Sequence, residues 1–393
     1  INLLIPTVYN MIYLDNNATT RPAQEELQAM RPFLDEAFAN PSSPYGPSRR
    51  VAHAIWEARA QVASMVEADP AHIVFVCCVR EANNAAIFSA LRQRPGRNRI
   101  VLSSVEHASV RGPAAFWEKE GYELVEVKAN PDGGLNRERY LAAIDSRTAL
   151  VSVMLANNET GILHSIHELS DAAHSEGALM HTDAVQAVGK IPVGVTDLRV
   201  DFLSMSAHKF HGPKGVGALY LRSGEVPHPL IRGGEQERGR RAGTENVTGI
   251  IGLGHACSLA AEALGIMDTE VRSLRDDLES GLQRLVDKVQ VIGAGAPRLP
   301  NTSSILFHGA DAEALIALLD MDGICCSSGS ACAAGSSEPS HVLRASGLAD
   351  HDLKSVLRFS LSRFTRRSEV EALLRLLPAQ VQQDRFTRPA EAA

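Results

Sequence analysis

The stretch "LSMSAHKFHGPKGVGALYL", Leu203 to Leu221, places polar residues directly after an apolar run, a pattern that indicates the end of a buried strand. The segment "DFLSMSAHK" leads into Lys209, and "GVGALYL" follows a glycine-containing turn. Similar runs occur earlier, separated by longer amphipathic segments: "HIVFVCC", "RIVLSSVEH", "YELVEVKA", "TALVSVMLANN" and "GALMHTDA". Uninterrupted apolar strands that alternate with helical patterns are typical of a mostly parallel sheet covered on both faces. The sequence therefore predicts an α/β domain.

Length and charge narrow the class of protein. The chain has 393 residues, 45% of them hydrophobic, which is enough for a large core and two domains. Its formal net charge is -7 and it has no long block of Lys and Arg, which argues against a nucleic-acid or membrane-surface partner. Small-molecule chemistry is favoured.

A second domain is indicated by a change of pattern toward the C-terminus. The charged helical segment "DTEVRSLRDDLESGLQRLVDKV" is followed by short strands. We expect a large domain over residues 21–262 and a smaller α+β domain from residues 11–20 and 263–385, with flexible ends at 1–10 and 386–393. The apolar run 249–267 contains His255 and Glu262, so we expect a buried or interface helix rather than a membrane span.

The cysteines and the first residues indicate the compartment. The six cysteines contain two adjacent pairs and no CxxC spacing: Cys77, Cys78, Cys257, Cys325, Cys326 and Cys332. Neither a disulfide framework nor a structural zinc is favoured, and a reducing cytoplasm fits best. The leading "INLLIPTVYN" has no basic region or cleavage site of a signal peptide, and Met11 is a candidate native start.

Lys209 is the first candidate for chemistry. A lysine after a strand is usually a surface charge, but a desolvated amine is a nucleophile that forms a Schiff base with a carbonyl such as pyridoxal phosphate. Polar residues also end the other predicted strands: His107, Asn157, Asn158, Asp183, Gln186, Ser206 and His208. Because ligands bind beyond the carboxyl ends of strands in open α/β sheets, we expect these residues to converge on one cleft.

Most of the polar residues expected near Lys209 allow both a functional and a structural interpretation. Asp183 could pair with a pyridinium nitrogen, which makes the cofactor ring an electron sink, or could cap a helix. Gln186 could donate to the phenolic oxygen or lie on a helix surface. His107 could stack on the ring or be structural. Ser206 and His208 could donate to a phosphate.

Two further segments suggest a substrate site. Small residues surround Cys332 in "CCSSGSACAAGSSEPSH", Cys325 to His341, which favours an exposed loop with a reactive thiol over a buried one. Arg358 alternates with apolar residues in "VLRFSLSRF", as expected of a strand that presents a guanidinium to a carboxylate. A structural ion pair is the alternative for Arg358.

Taken together, the motifs resemble the cysteine desulfurases of the class V aminotransferase superfamily, most closely the nitrogen-fixation NifS type. The resemblance runs through "YLDNNATT", "NPSSPYGPSR", "VEH", "ANNETG", "HTDAVQAVGK", "SAHKFHGPKGVG", "RGGEQERGRRAGTEN", "LPNTSSI", "SSGSACAAGSSEPSHV" and "RFSLSRFT". It covers nearly the whole chain past Met11. It implies the pyridoxal-phosphate-dependent fold type I, with a mostly parallel seven-stranded sheet in the large domain.

The resemblance also implies residue roles. Lys209 forms the Schiff base, Asp183 pairs with the pyridinium and His107 stacks on the ring. Gln186 and Asn158 approach the phenolic oxygen, while Ser206 and His208 hold the phosphate. Thr244 reaches the phosphate from the partner subunit of a homodimer, and Arg358 binds the substrate carboxylate. Cys332 accepts sulfur from L-cysteine as a persulfide, which passes to an iron-sulfur scaffold protein, and no metal is expected on the protein itself.

One segment departs from the family pattern. Family members usually carry a Thr-Ser-Gly-Ala-Thr-Glu or Thr-Ser-Cys-Gly-Thr-Glu run that forms a phosphate cup, where this chain has "VCCVRE", Val76 to Glu81. Arg80 stands at the threonine position and Val79 replaces a small residue. Val79 could crowd the cup, and Arg80 could compensate by its charge.

Three functions remain open on the sequence. The first is a cysteine desulfurase that supplies iron-sulfur clusters, those of nitrogenase among them. The second is selenocysteine or cysteine-sulfinate lyase activity, which uses the same carbanion chemistry without a need for Cys332. The third is a catalytically impaired sulfur carrier or scaffold, a consequence of the altered cup.

Overall fold

The structure of the chain, a computed structural model, describes residues 11–222, 228–328 and 339–387. A seven-stranded sheet is built from the seven apolar runs found in the sequence. Its strands are β2 (Ile73–Val76), β3 (Arg99–Ser103), β4 (Glu123–Val127), β5 (Thr148–Ser152), β6 (Leu179–Asp183), β7 (Phe202–Ser206) and β8 (Gly217–Leu221). Their order is β2-β8-β7-β6-β5-β3-β4, and only β8 runs antiparallel to its neighbours. The predicted α/β class with a mostly parallel sheet is confirmed.

Helices cover both faces of this sheet. Those that precede or follow its strands are α1 (Gln24–Met30), α2 (Pro32–Asp35), α3 (Gly46–Met65), α4 (Val79–Gln93), α5 (Ala108–Lys119), α6 (Arg137–Ala143), α7 (Ile166–Ser175), α8 (Val195–Leu198) and α9 (Val247–Glu262). In β7, Leu203 and Met205 join the core under α3 and α9, while Phe202 joins the core under α4 and α5. Every second residue of a strand faces the same side, so Ser206 points to the α4 side.

Helix α9 lies against α3 at close range. A Cβ at Gly254 would come within 2.6 Å of the Ala58 Cα, so a glycine is required for this approach. The buried residues of α9 include Ile250, Leu253 and Ala256. Within the described ranges no single helix is long and apolar enough to cross a membrane; α9 and the helical stretch Leu264–Leu285, bent by 52°, would pass that test only as a pair.

A second, smaller unit has its own core. Its strands are β1 (Ile12–Tyr13), β9 (Val289–Val291), β10 (Thr302–Phe307), β11 (Ile324–Cys325), β12 (Ser327–Ser328) and β13 (Val356–Ser360). Its helices are α10 (Leu264–Ile266), α11 (Arg272–Leu285), α12 (Ala312–Met321), α13 (His341–Ala345) and α14 (Arg367–Thr387). The order β12-β13-β10-β9 is antiparallel, and β1 pairs in parallel with β11.

The N-terminal strand joins the two units. Leu14 belongs to the smaller core, and the backbone of Asn16 donates to the Ser360 oxygen of β13 at 3.1 Å. The next residues run toward β7 of the large sheet, where Thr20 donates to the His208 oxygen at 2.8 Å. The boundaries expected at residues 20, 262 and 385 stay predictions; α14 continues to Thr387, and the termini 1–10 and 388–393 lie outside the described residues.

Candidate active site

The carboxyl ends of the parallel strands gather the predicted polar residues. Asp183 is the last residue of β6 and Ser206 the last of β7. A single 3₁₀ turn, Ala207–Lys209, then carries Lys209. His107 lies just before α5, four residues after β3 ends. The sheet thus supplies a common edge at which these side chains meet.

Asp183 is held in place by a residue that the sequence analysis missed. Its Oδ2 accepts a hydrogen bond from Asn83 Nδ2 at 2.9 Å, and its Oδ1 accepts from the Val185 amide at 3.1 Å. Residues 185–190 form turns rather than a helix, so the helix-cap reading of Asp183 does not apply. No sequence pattern marks Asn83, which is fully buried in α4.

The same network fixes His107. Asn83 Nδ2 also donates to Ser109 Oγ at 2.9 Å, and His107 Nδ1 accepts from the Ser109 amide at 3.0 Å. A backbone amide can only donate, so Nδ1 is unprotonated and the neutral ring carries its proton on Nε2. Burial lowers the pKa of His107, a trend that Asp183 opposes and that Arg80 and Lys209 reinforce. The ring is therefore neutral at physiological pH.

Lys209 meets the N-terminal segment from the smaller unit. Its Nζ donates to the backbone oxygens of Asn17 and Ala18 at 2.7 and 2.8 Å. Gln186 Nε2 donates to the same Asn17 oxygen at 3.0 Å. A second lysine lies behind them, because Lys190 Nζ donates to Gln186 Oε1 at 2.6 Å and to Asn17 Oδ1 at 2.9 Å. Both Asn17 and Lys190 lie in motifs quoted above, but only the structure shows that they touch.

Arg358 lies on the other side of that segment. It is 1% exposed; one nitrogen pairs with Asp15 Oδ1 at 2.7 Å and another donates to the Asn158 backbone oxygen at 3.0 Å. The Asn158 oxygen also accepts from Asn17 Nδ2 at 3.2 Å. Within the described residues the Arg358 Nε has no partner. Lys209 and Arg358 are thus connected through residues 15–18 and Asn158.

The end of β7 has the features of a phosphate site. Ser206 Oγ is buried and has no hydrogen-bond partner among the described residues. Ser206 pairs with Gly217, where a Cβ would lie 2.6 Å from the Met205 oxygen and 3.5 Å from the Cys78 carbonyl carbon, at the start of α4. An unpartnered buried hydroxyl, a side-chain-free strand position and a helix N-terminus together suit an anion.

The charges around His208 agree with this. Burial, followed by the charges of Lys209, Lys214, Arg80 and Lys190, lowers the pKa of His208 to about 4. His208 Nδ1 lies 3.1 Å from Thr19 Oγ1. Several cations face one neutral imidazole, an arrangement that a bound anion stabilises.

The "VCCVRE" segment forms the turn from β2 into α4. Val79 is the first residue of α4 and is 8% exposed, whereas Arg80 is exposed. Glu81 accepts from the Cys77 amide at 2.8 Å and pairs with Arg241 at 2.8 Å. The turn is therefore closed by Glu81, independently of residue 80.

Two predicted site residues are not brought into these contacts. Thr244 is exposed and lines a surface cleft together with Cys77 and Gly215. That position is open to a second subunit, but the role expected of Thr244 stays a prediction. Cys332 lies outside the described residues.

The chain is similar over most of its length to several known proteins. The family model "Aminotransferase class-V" matches residues 12–373. A cysteine desulfurase of Cereibacter sphaeroides is 50% identical over 380 residues, 96% of this chain and 97% of the relative. "Cysteine desulfurase NifS" of Azotobacter vinelandii is 44% identical over 96% of this chain and 94% of its own. A solved structure titled "NifS-like protein" superposes with a TM-score of 0.88 at 34% identity, over 95% of this chain and 100% of its own.

The chain belongs to the class-V aminotransferase family, and the resemblance predicted from the motifs is confirmed. It is an enzyme whose cofactor is pyridoxal 5'-phosphate. The residues present fit this group: the unpartnered Ser206 hydroxyl suits its phosphate, the buried Asp183 carboxylate its ring nitrogen, and Lys209 its aldehyde. The individual contacts of these residues with the cofactor stay predictions.

Proposed function

We propose that this enzyme is a cysteine desulfurase, which converts L-cysteine to L-alanine and leaves the sulfur as a persulfide on Cys332. The observation that carries the proposal is the connection of Lys209 and Arg358 through residues 15–18 and Asn158. It sets an amine and a buried guanidinium on two sides of one short segment, as an α-amino acid substrate requires. The relatives named cysteine desulfurase support the choice of cysteine.

The roles follow from the chemistry of each group. Arg358 binds the substrate carboxylate through paired charge-assisted hydrogen bonds. When bound, the cofactor acts as an electron sink for the substrate Cα. Lys209 removes the Cα proton. With the cofactor bound, the neutral His107 would cover its ring and Asp183 would keep its ring nitrogen protonated.

Sulfur transfer needs a thiol in reach of the substrate. The Cys332 thiolate attacks the substrate sulfur, an S–S bond forms, and the bond from sulfur to the substrate Cβ breaks. The electron pair of that bond stays with the carbon skeleton, which takes up protons and leaves as L-alanine. Cysteine and the Cys332 thiol are thereby converted to alanine and a Cys332 persulfide, so no outside oxidant is required.

The test is a product balance. Purified protein loaded with pyridoxal phosphate should produce alanine and, in the presence of a thiol reductant, an equal amount of sulfide. Cys332→Ala should lose sulfide release from cysteine. The proposal would be wrong if no alanine formed or if Cys332→Ala released sulfide at the wild-type rate. If the Cys332→Ala variant acted only on selenocysteine or cysteine sulfinate, the protein would be better explained as a lyase. If the protein bound cofactor but acted on none of cysteine, selenocysteine and cysteine sulfinate, it would be better explained as a sulfur carrier or scaffold.

We propose a cytoplasmic homodimer that delivers sulfur to an iron-sulfur scaffold protein. Thr244 is exposed beside the α4 turn, and large apolar side chains on α1 to α3 and on the connection between α2 and α3 are also exposed: Leu27, Leu34, Phe38, Tyr45 and Trp56. Large exposed apolar side chains that lie together are typical of an interaction surface. Light scattering should give twice the chain mass; a fully active monomer would exclude the shared site. Deleting the gene and comparing nitrogenase with other iron-sulfur enzymes would separate dedicated from general supply.

A further inference from the structure

Arg80 occupies an unusual position on the helix that borders the cofactor site. It is the second residue of α4, one turn before Asn83, and Asn83 contacts Asp183 at 2.9 Å. Residues three apart lie on the same face of a helix, so the Arg80 side chain starts on the face that looks at the site. Arg80 therefore lies at the N-terminal end of this helix face, and Asn83, the residue that contacts Asp183, lies one turn further along it.

Within the ranges that the structure describes, no carboxylate neutralises the charge of Arg80. Among the described residues its guanidinium forms no hydrogen bond and no ion pair. Other exposed arginines, such as Arg147 and Arg199, pair with carboxylates. The charges that act with Arg80 on His208 are those of three lysines, Lys209, Lys214 and Lys190. Such a gathering of cations is costly in the absence of an anion.

The backbone beside Arg80 is open to an anion. Cys78 directly precedes α4, and its side chain forms no capping hydrogen bond with the described residues. The first backbone N–H groups of the helix are therefore available to donate to a ligand. Ser206 Oγ is buried and has no hydrogen-bond partner in the described part of the chain. It lies at the neighbouring strand end, because Val76, Gly217 and Ser206 form one row across β2, β8 and β7. Val79 is 8% exposed, whereas the next residue, Arg80, is exposed.

We propose that Arg80 binds the phosphate of the cofactor as an ionic clamp, and that it thereby selects phosphorylated pyridoxal over pyridoxal itself. The clamp takes the place of the neutral hydroxyl expected from the family resemblance. A guanidinium offers two parallel donors to a phosphate, and such charge-assisted bonds are roughly twice as strong as neutral ones. The inference rests on the cofactor and not on cysteine as substrate, so it can hold even if the proposed activity fails.

The test compares two ligands on the full-length protein after removal of its cofactor. Binding of pyridoxal phosphate and of pyridoxal is followed by the visible absorption of the bound form. Arg80→Ala should weaken pyridoxal phosphate binding roughly tenfold to a hundredfold, the range for losing a hydrogen bond to a charged group. Pyridoxal binding should change by less than about twofold, since it has no phosphate to lose.

Three variants sharpen the result. Arg92→Ala removes the same charge from the last turn of the same helix, away from the site, and should leave both affinities unchanged. Arg80→Lys should retain part of the preference for the phosphorylated form. Arg80→Thr should lower the dependence of pyridoxal phosphate affinity on salt concentration.

The proposal is overturned by either of two outcomes. One is equal weakening of both ligands in Arg80→Ala, which would mean that residue 80 only supports the fold of the turn. The other is unchanged pyridoxal phosphate affinity. Should Arg80→Ala not fold, the comparison of Arg80→Lys with wild type on both ligands decides the question: an unchanged ratio of affinities would refute the clamp.

Discussion

Lys190 donates a 2.6 Å hydrogen bond from its Nζ to Oε1 of Gln186, and both side chains are buried. The bond decides which way the Gln186 amide turns, because its oxygen must face the lysine and its nitrogen must face the other way. Nε2 then donates to the Asn17 oxygen, the same atom that accepts from Lys209. Lys190 is therefore a positioning residue for the amide beside Lys209.

Replacing Lys190 should affect both stability and the cofactor spectrum. The Lys190 side chain is buried and donates hydrogen bonds to Gln186 and Asn17. This burial lowers the pKa of Lys190 well below its usual range. We expect Lys190→Met to lower the free energy of unfolding by about 1–3 kcal/mol, because Gln186 Oε1 loses its donor. The pH titration of the visible cofactor band should shift as well. Urea unfolding and absorption spectra measure the two effects, and Lys119→Met on an exposed helix position is the control.

Glu159 should make stability depend on pH. Burial raises the pKa of Glu159 to about 7, against the hydrogen bond that its Oε2 accepts from Ser340 Oγ. Between pH 4.5 and 7 the unfolded chain has lost this proton while the folded chain keeps it, so stability falls as pH rises through this window.

Glu159→Gln should remove that part of the pH dependence. The amide is neutral at all pH values, so the variant should gain up to about 3 kcal/mol relative to wild type between pH 4.5 and 8. Denaturant unfolding at several pH values checks this. Glu168→Gln, at a largely exposed carboxylate, should show no such trend. Parallel pH curves for Glu159→Gln and wild type would contradict the prediction.

Asn83 should affect how tightly the cofactor is bound, although it is not itself predicted to contact the cofactor. Asn83→Ala removes the donor to Asp183 Oδ2 and to Ser109 Oγ together. We expect roughly tenfold weaker binding of pyridoxal phosphate, of the order of one lost hydrogen bond to a charged group. Spectroscopic titration measures it, with Gln93→Ala at the far end of the same helix as the control. An affinity equal to wild type would show that Asp183 holds its position without Asn83.

Gly217 should tolerate no side chain. A Cβ there would lie 2.6 Å from the Met205 oxygen, a backbone atom that cannot turn away. Gly217→Ala should cost about 1–3 kcal/mol of stability, as other overpacked positions do. Thermal unfolding tests this. At Gly265 a Cβ would meet nothing within 4 Å, so Gly265→Ala should be neutral or stabilising, and equal losses in both variants would refute the steric explanation.

The sequence predicts the position of a residue in the fold well where its place along the chain is enough. Asp183, Ser206 and Lys209 were found because each follows an apolar strand, and the ends of parallel strands share one edge. Asn83 could not be found in this way, because one buried amide inside an amphipathic helix leaves no periodic trace. The direction of β8 was equally hidden, since an apolar run carries no information on its sense.

Arg80, where the sequence departs from the family pattern, also shows that sequence alone does not reveal long-range contacts. The sequence identified the unusual residue, but only the structure places it one turn before Asn83, whose side chain contacts Asp183 100 residues further along the chain. Such a long-range contact appears only once the chain is folded.

The short segment 15–18 has a consequence for the evolution of specificity. Given the roles proposed for Lys209 and Arg358, this segment sets the distance between the amine and the guanidinium. All α-amino acids share the spacing of their amino and carboxylate groups and differ only beyond Cα. A segment that sets this shared distance suits every α-amino acid. A change of reaction can therefore arise from substitutions elsewhere in the chain while residues 15–18 remain unchanged.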